Sequence, residues 1–252
     1  MKGFTTQIKF IATIIVAALV VSSCFKDDDV LSFNNTSMVT IKDGKIISDP
    51  GSVFNVVQGP AASEVPMSGR ALFICDVLRS TKGGADGEYD ISLKQVFPAN
   101  IKEVTRESGL SAEQESLLGS DPIAIARTPV KPLISGGYLN MFITIETKKV
   151  DPKKHILGVL WHDDITEKIS LELKHEAAGE TIASMPGDQL TLRTALISIP
   201  LNSVTQNAPN KIRLEVSTSW YVSDNPATGD GSVRDYVIST DIYPNGPVLM
   251  TF

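Results

Sequence analysis

Lys211-Ile212-Arg213-Leu214-Glu215-Val216-Ser217-Thr218-Ser219-Trp220-Tyr221-Val222 alternates along its whole length. Ile212, Leu214, Val216, Thr218, Trp220 and Val222 fall on one face, while Lys211, Arg213, Glu215, Ser217, Ser219 and Tyr221 fall on the other. Successive side chains of an extended chain point to opposite sides, so a period of two marks a strand with one face in a core and one in water. Five further stretches share the pattern: Tyr138 to Lys148, His155 to His162, Lys168 to His175, Gln189 to Ile199 and Val233 to Tyr243. Six such strands without helical crossovers predict an antiparallel β-sandwich over residues 138–252 and argue against a doubly wound nucleotide-binding fold.

Upstream, the strands are shorter. Met38 to Lys42, an Asp43-Gly44 turn, Lys45 to Ser48 and Val53 to Gln58 read as a hairpin and its continuation, since Asp-Gly between extended runs favours a tight turn. Arg70 to Leu78 is apolar on both faces, as a central strand is, and Glu88 to Phe97 follows a Gly-rich turn. About five short strands with no strong helix suit a small barrel of the OB type over residues 38–118, with a sandwich as the alternative. Ser111-Ala112-Glu113-Gln114 forms a capping-box pattern for a short helix ending near Gly119. Residues 119–137, with Pro129, Pro132, Gly136 and Gly137, read as the linker between the modules.

The first 23 residues have a different character. Lys2 and Lys9 lead into an apolar run, Phe10 to Val21, closed by Ser22-Ser23-Cys24. A basic lead, a short greasy core and small residues before the cut describe a secretory signal peptide, too short to span a bilayer. A cysteine placed directly after the cut offers a thiol for diacylglycerol, so Cys24 is the expected lipidation site and the first residue of the mature chain. Two or three acyl chains hold a protein stably where one holds it only marginally. Residues 24–37, with Asp27-Asp28-Asp29, read as a polar, acidic tether.

Composition narrows the partners. The net charge of −6 becomes two units more negative once the segment carrying Lys2 and Lys9 is removed. Nucleic-acid binding needs clustered Lys and Arg to neutralise phosphates, and this chain has no basic cluster. With Cys24 acylated, Cys75 has no disulfide partner, and between Phe73 and Val77 on one strand face it reads as a packed thiol. Gly-x-Ser-x-Gly, His-Glu-x-x-His and phosphate-loop patterns are all missing from the sequence. Asp224 to Asp230 lacks calcium-loop oxygens at Pro226 and Thr228, and reads as a hairpin loop.

All three histidines lie in one hairpin. With Asp163 to Glu167 as the turn, His155 falls opposite His175, Leu157 opposite Leu173, Val159 opposite Leu171 and Trp161 opposite Ile169, while His162 points away. Two imidazoles on one face fall short of the three or four ligands that a metal site needs. The bland reading, two rings closing the rim of the core, therefore outweighs metal binding. An acid-sensing pair is a third reading, because both rings charge as pH falls through about 6.5. His155 and His175 are the candidate binding residues, and no catalytic residue, metal or cofactor is expected.

The chain resembles the NigD-like lipoproteins of Bacteroidota in the Cys24 lipobox with Asp27-Asp28-Asp29, Asp121-Pro122-Ile123, Gly137-Tyr138-Leu139-Asn140, His155, and Leu171 to Ala177. It departs from them in Phe25-Lys26, which precede the acids. The resemblance implies an N-terminal OB-type barrel joined to a C-terminal immunoglobulin-like sandwich, and brings no established activity. It also implies export to the outer membrane with exposure at the cell surface, and a link to bacteriocin systems. The resulting expectation is a non-catalytic, lipid-anchored envelope component that binds a protein or glycan partner. An uncharacterised hydrolase and an immunity-type protein are the alternatives.

Overall fold

The computed structural model describes residues 33–82, 87–126, 131–225, 230–242 and 250–251. The signal segment, Cys24 and the acidic run Asp27 to Asp29 lie outside the described residues. The N-terminal strands are β1 (Phe33–Lys42), β2 (Lys45–Ser48), β3 (Val53–Gln58), β4 (Gly69–Lys82) and β5 (Glu88–Ile101). Lys42 pairs with Lys45 across Asp43 and Gly44, whose φ angles of 52° and 74° are the left-handed pair that a tight hairpin turn requires. β1 pairs with β2, β2 with β3, β3 with β5, β5 with β4 and β4 with β1, which closes a ring. This is a five-stranded OB-type barrel, and closure removes the exposed sheet edges. Val39, Ile41, Phe54, Ala71, Phe73, Cys75, Val77, Ile91 and Leu93 fill it.

The sandwich follows. Its strands are β6 (Val104–Arg106), β7 (Ala124–Ala126), β8 (Leu133–Ser135), β9 (Tyr138–Lys148), β10 (Ile156–Trp161), β11 (Lys168–Glu176), β12 (Leu190–Pro200), β13 (Ile212–Asn225), β14 (Asp230–Ile242) and β15 (Met250–Thr251). One layer runs β15-β8-β9-β12 and continues into the end of β5, with β7 also paired to β9. The other runs β14-β13-β11-β10-β6. Between the layers lie Leu139, Met141, Ile143, Leu171, Leu173, Ile197, Ile199, Leu214 and Val216. On β13 the expected face is buried at Ile212, Leu214, Val216 and Thr218. The fold is all-β, with two sheets.

Four features differ from expectation. First, β1 begins at Phe33, so residues 33–37 of the expected tether are strand, paired with β4 from Phe33↔Val77 to Ser37↔Phe73. Polar composition does not stop a segment from pairing when a long neighbouring strand offers unpaired backbone groups. Second, β6 lies in the expected barrel segment 38–118 but pairs with β10 in the sandwich. Third, the expected linker contains β7 and β8, both paired with β9. Fourth, the sandwich is mixed rather than purely antiparallel, because β6–β10, β11–β13 and β5–β12 run parallel. The chain leaves β11, runs through β12 in the opposite layer and returns as β13, a connection long enough for parallel neighbours.

Helix is scarce. α1 (Ala112–Ser116) carries both bonds of the capping box: the Gln114 amide donates to Ser111 Oγ at 3.2 Å and the Ser111 amide to Gln114 Oε1 at 2.9 Å. α2 (Asn202–Thr205) is a single turn after β12.

Candidate functional site

The histidine hairpin forms between β10 and β11, in a register two residues from the expected one. Leu157 faces His175, Val159 faces Leu173 and Trp161 faces Leu171. A shift of two leaves every side chain on its expected face, so the alternation that fixes the face does not fix the partner. The turn is longer than expected, and His162 closes it by donating its amide to the Ser170 carbonyl at 3.0 Å, while Lys168, Ile169 and Ser170 pair with β13 on the other edge of β11.

His155 lies just before β10 yet still meets His175, with Nδ1 of His155 3.0 Å from Nε2 of His175. The line continues at both ends. His155 Nε2 is 3.1 Å from Glu180 Oε2, and His175 Nδ1 is 3.3 Å from the Pro122 carbonyl oxygen. His175 and Glu180 are each 1% exposed. Glu180 is turned inward by Ala178 and Gly179, whose φ angles of 53° and 80° are left-handed. Its carboxylate accepts the Lys148 and Lys153 amides at 2.9 and 2.8 Å and the Thr147 hydroxyl at 3.1 Å. Burial alone raises a carboxyl pKa. Here the Lys148 and Lys153 amides, with His155 and Thr147, outweigh it and hold Glu180 at about 2. Burial pushes His175 down, helped by His155 beside it and opposed by the Pro122 carbonyl, Asp121 and Glu176.

The strap 119–123 fastens this end of the sandwich. The Asp121 amide donates to the His175 carbonyl at 2.8 Å, Asp121 Oδ2 accepts the Ala177 amide at 2.7 Å, and the Ile123 amide donates to Ser219 at 2.7 Å. Gly119, at φ 69°, passes so close that a Cβ would stand 2.5 Å from the His175 carbonyl oxygen. Asp121-Pro122-Ile123, His155 and His175-Glu176-Ala177, far apart in sequence, thus meet in one cluster. Sequence reasoning found the histidines and missed Glu180, whose role depends on a left-handed turn beyond the strand.

A second buried cluster was not expected at all. Arg70 at the start of β4 makes a bidentate pair with Asp49, at 3.0 and 2.8 Å, and both side chains are 3% exposed. The guanidinium also donates to Thr40 Oγ1 at 3.0 Å and lies 4.1 Å over the Tyr138 ring. Ser135 donates to Asp49 at 2.5 Å, and Ser198 to Asn140 Oδ1 at 2.7 Å. Thr40, Asp49 and Arg70 belong to the barrel, and Ser135, Tyr138, Asn140 and Ser198 to the sandwich, so the cluster clasps one to the other. Its only trace in the sequence is an arginine opening an apolar strand.

Other candidates resolve individually. Cys75 is buried, and desolvation pushes its thiol up to about 11, which makes it inert. Asp90 is buried and bound to Arg79 at 2.6 Å. His162 lies between Glu107 at 2.8 Å and Glu172 at 3.2 Å, away from the other two histidines. Trp161 lies under the Arg106 guanidinium, 4.8 Å away. Among the described residues, no group of three or more His, Cys, Asp or Glu side chains is placed to hold a metal ion.

Residues 106–225 match the NigD-like C-terminal beta sandwich domain. Three solved structures share the fold. A candidate toxin-related protein from Parabacteroides distasonis is 16% identical, with a TM-score of 0.57 over 84% of this chain and 95% of that one. A NigD-like immunity protein from Bacteroides caccae is 18% identical, with a TM-score of 0.55 over 84% and 98%. A candidate lipoprotein from Bacteroides fragilis is 14% identical, with a TM-score of 0.55 over 82% and 97%. No curated protein sequence matches the chain.

Proposed function

From the membership of this chain in the NigD-like family, carried by its C-terminal sandwich, we propose that it is a lipid-anchored, non-catalytic envelope protein. It is held at the outer membrane through acyl chains on Cys24, and its body is presented at the cell surface to a protein or glycan partner. The lipobox at Cys24 and the acids after it support the anchor. The resemblance to a candidate lipoprotein of the same fold agrees with it.

The observation that carries the non-catalytic reading is the state of the two convergent polar clusters. Arg70 with Asp49, and His175 with Glu180, have buried side chains, and the half-buried His155 is engaged by both His175 and Glu180. A catalytic group must reach a substrate within hydrogen-bond distance, and these do not face one. A groove of about 260 Å³ beside β5, lined by Pro60, Glu64, Lys94 and Phe97 among others, brings no nucleophile and base together. The body therefore acts through its surface.

Mass spectrometry of the full chain from its native envelope tests the anchor, and a mature N-terminus at diacylated Cys24 is expected. Cys24→Ala should leave an unprocessed, non-acylated precursor. Crosslinking on intact cells should recover a reproducible neighbour, and recovery of none would count against a binding role. An immunity-type role is the second reading, favoured by the NigD-like immunity protein of the same fold. Loss of resistance to a bacteriocin on deletion would select it.

A further inference from the structure

The line from Pro122 to Glu180 has three gaps: carbonyl to His175, His175 to His155, and His155 to carboxylate. Each gap needs one hydrogen, and both ends of the line only accept. Two neutral imidazoles carry two hydrogens. Glu180 cannot supply the third, because it already accepts two amides and a hydroxyl as a carboxylate. We infer that the His155–His175 pair carries one extra proton and works as a latch that acid opens, fastening the strap 119–123 and the turn 177–181 to the end of the sandwich.

The protons have definite places. His155 is the imidazolium, donating from Nε2 to Glu180 and from Nδ1 to His175 Nε2. His175 is neutral and donates from Nδ1 to the Pro122 carbonyl. The cation then lies against a buried carboxylate that balances it, the condition for keeping a charge in a low-dielectric interior. The downward pull on His175, from burial first and from His155 second, agrees with a neutral ring beside a charged one.

The groups facing the pair bias it in known directions. Asp121 in the strap and Glu176 on β11 favour a proton on His175, while burial and His155 oppose it. From the turn, the Lys153 ammonium is held on the Ala178 carbonyl at 2.8 Å, and from β9 only the Thr147 hydroxyl and the Lys148 amide face Glu180. A fourth proton on the pair would set N–H against N–H across 3.0 Å. The ring–ring contact must then break, so the strap 119–123, still bonded to His175 through Pro122, and the turn 177–181, bonded to His155 through Glu180, are no longer joined. Loss of a proton instead leaves one gap empty, so the latch is closed around neutral pH and opens below the usual imidazole range.

Long-range nitrogen–proton spectra of the imidazoles in the full chain, recorded from pH 8 to pH 4.5, test this. At pH 7 His155 should show both ring nitrogens protonated and His175 only Nδ1. As His175 takes its second proton, exchange of the Asp121, Lys148 and Lys153 amides, corrected for intrinsic rates, should speed up about tenfold relative to Ala71 and Phe73 in the barrel. Two neutral rings at pH 7 would overturn the inference, as would exchange that keeps pace with the barrel. Glu180→Gln should discharge His155 at pH 7, whereas His162→Gln should leave both rings as they are. If Glu180→Gln does not fold, the spectra of the unaltered chain decide alone.

Discussion

Glu180 and His175 respond to acid in two separate ranges. A carboxylate held at about 2 in the fold, against 4.5 ordinarily, contributes stability that is present above pH 4.5 and lost as pH falls toward 2. A histidine held below its ordinary 6.5 contributes stability that is present above that value and lost as pH falls below it. Urea midpoints should therefore fall in two steps between pH 7 and pH 2.5, and Glu180→Gln should shrink the lower one, leaving the part that Asp163, Glu215 and Asp241 contribute. Gly59 offers a purely steric test. It has a φ of 120°, and a Cβ there would stand 2.2 Å from the Leu93 carbonyl oxygen of β5. Gly59→Ala should cost about 3 kcal/mol in a denaturant melt, because backbone must move on one side or the other. Of the residues in the histidine cluster, the rings were legible because period-two alternation puts both on one face. Glu180 was not, since nothing in a loop sequence says that its carboxylate turns inward.

Among the elements, β9 was readable to the residue, from Tyr138 to Lys148. The direction of β11 relative to β13 was not, because alternation reports which face is buried and is silent on which strand lies alongside. The hairpin register carried the same ambiguity and settled two residues away, with Leu157 opposite His175 rather than Leu173. The start of α1 was legible, since a capping box is a local interaction written in four consecutive residues, while its end at Ser116 falls short of the expected Gly119. Its task is positional: Leu118, just past the helix, packs where a Gly158 Cβ would be, 2.9 Å away, and Gly119 then enters the strap. Ser111→Ala should cost about 1 kcal/mol, read as faster exchange at the Glu115 and Leu117 amides. Gly158→Val should displace Leu118 and loosen the strap without altering the barrel.

For the whole molecule, the two modules were legible and their union was not. A proline- and glycine-bearing stretch suggests a linker, yet its β7 and β8 pair with β9 inside the sandwich, and the end of β5 pairs with β12 to knit the modules into one sheet. The Arg70 clasp completes the join with side chains from five strands and the Asp49 turn, a pairing that no local pattern encodes. Arg70→Met should cost about 3–5 kcal/mol, because it strands the buried Asp49 carboxylate. Pairing it with Asp49→Leu should recover much of that loss, and a double-mutant cycle measures the coupling. Calorimetry should show one transition for the unaltered chain and two for Arg70→Met, as barrel and sandwich melt separately.

The start of β1 at Phe33 sets the length of the leash. Eight residues lie between Cys24, the proposed acylation site, and Phe33, and even fully drawn out this stretch reaches only about 30 Å. Under the proposed anchor, a molecule so closely tied would keep its barrel next to the lipid headgroups rather than roam like a ball on a long string. Under the same proposal a partner would have to come from the side or from above, and inserting a flexible spacer after Asp29 would be the direct way to widen its reach.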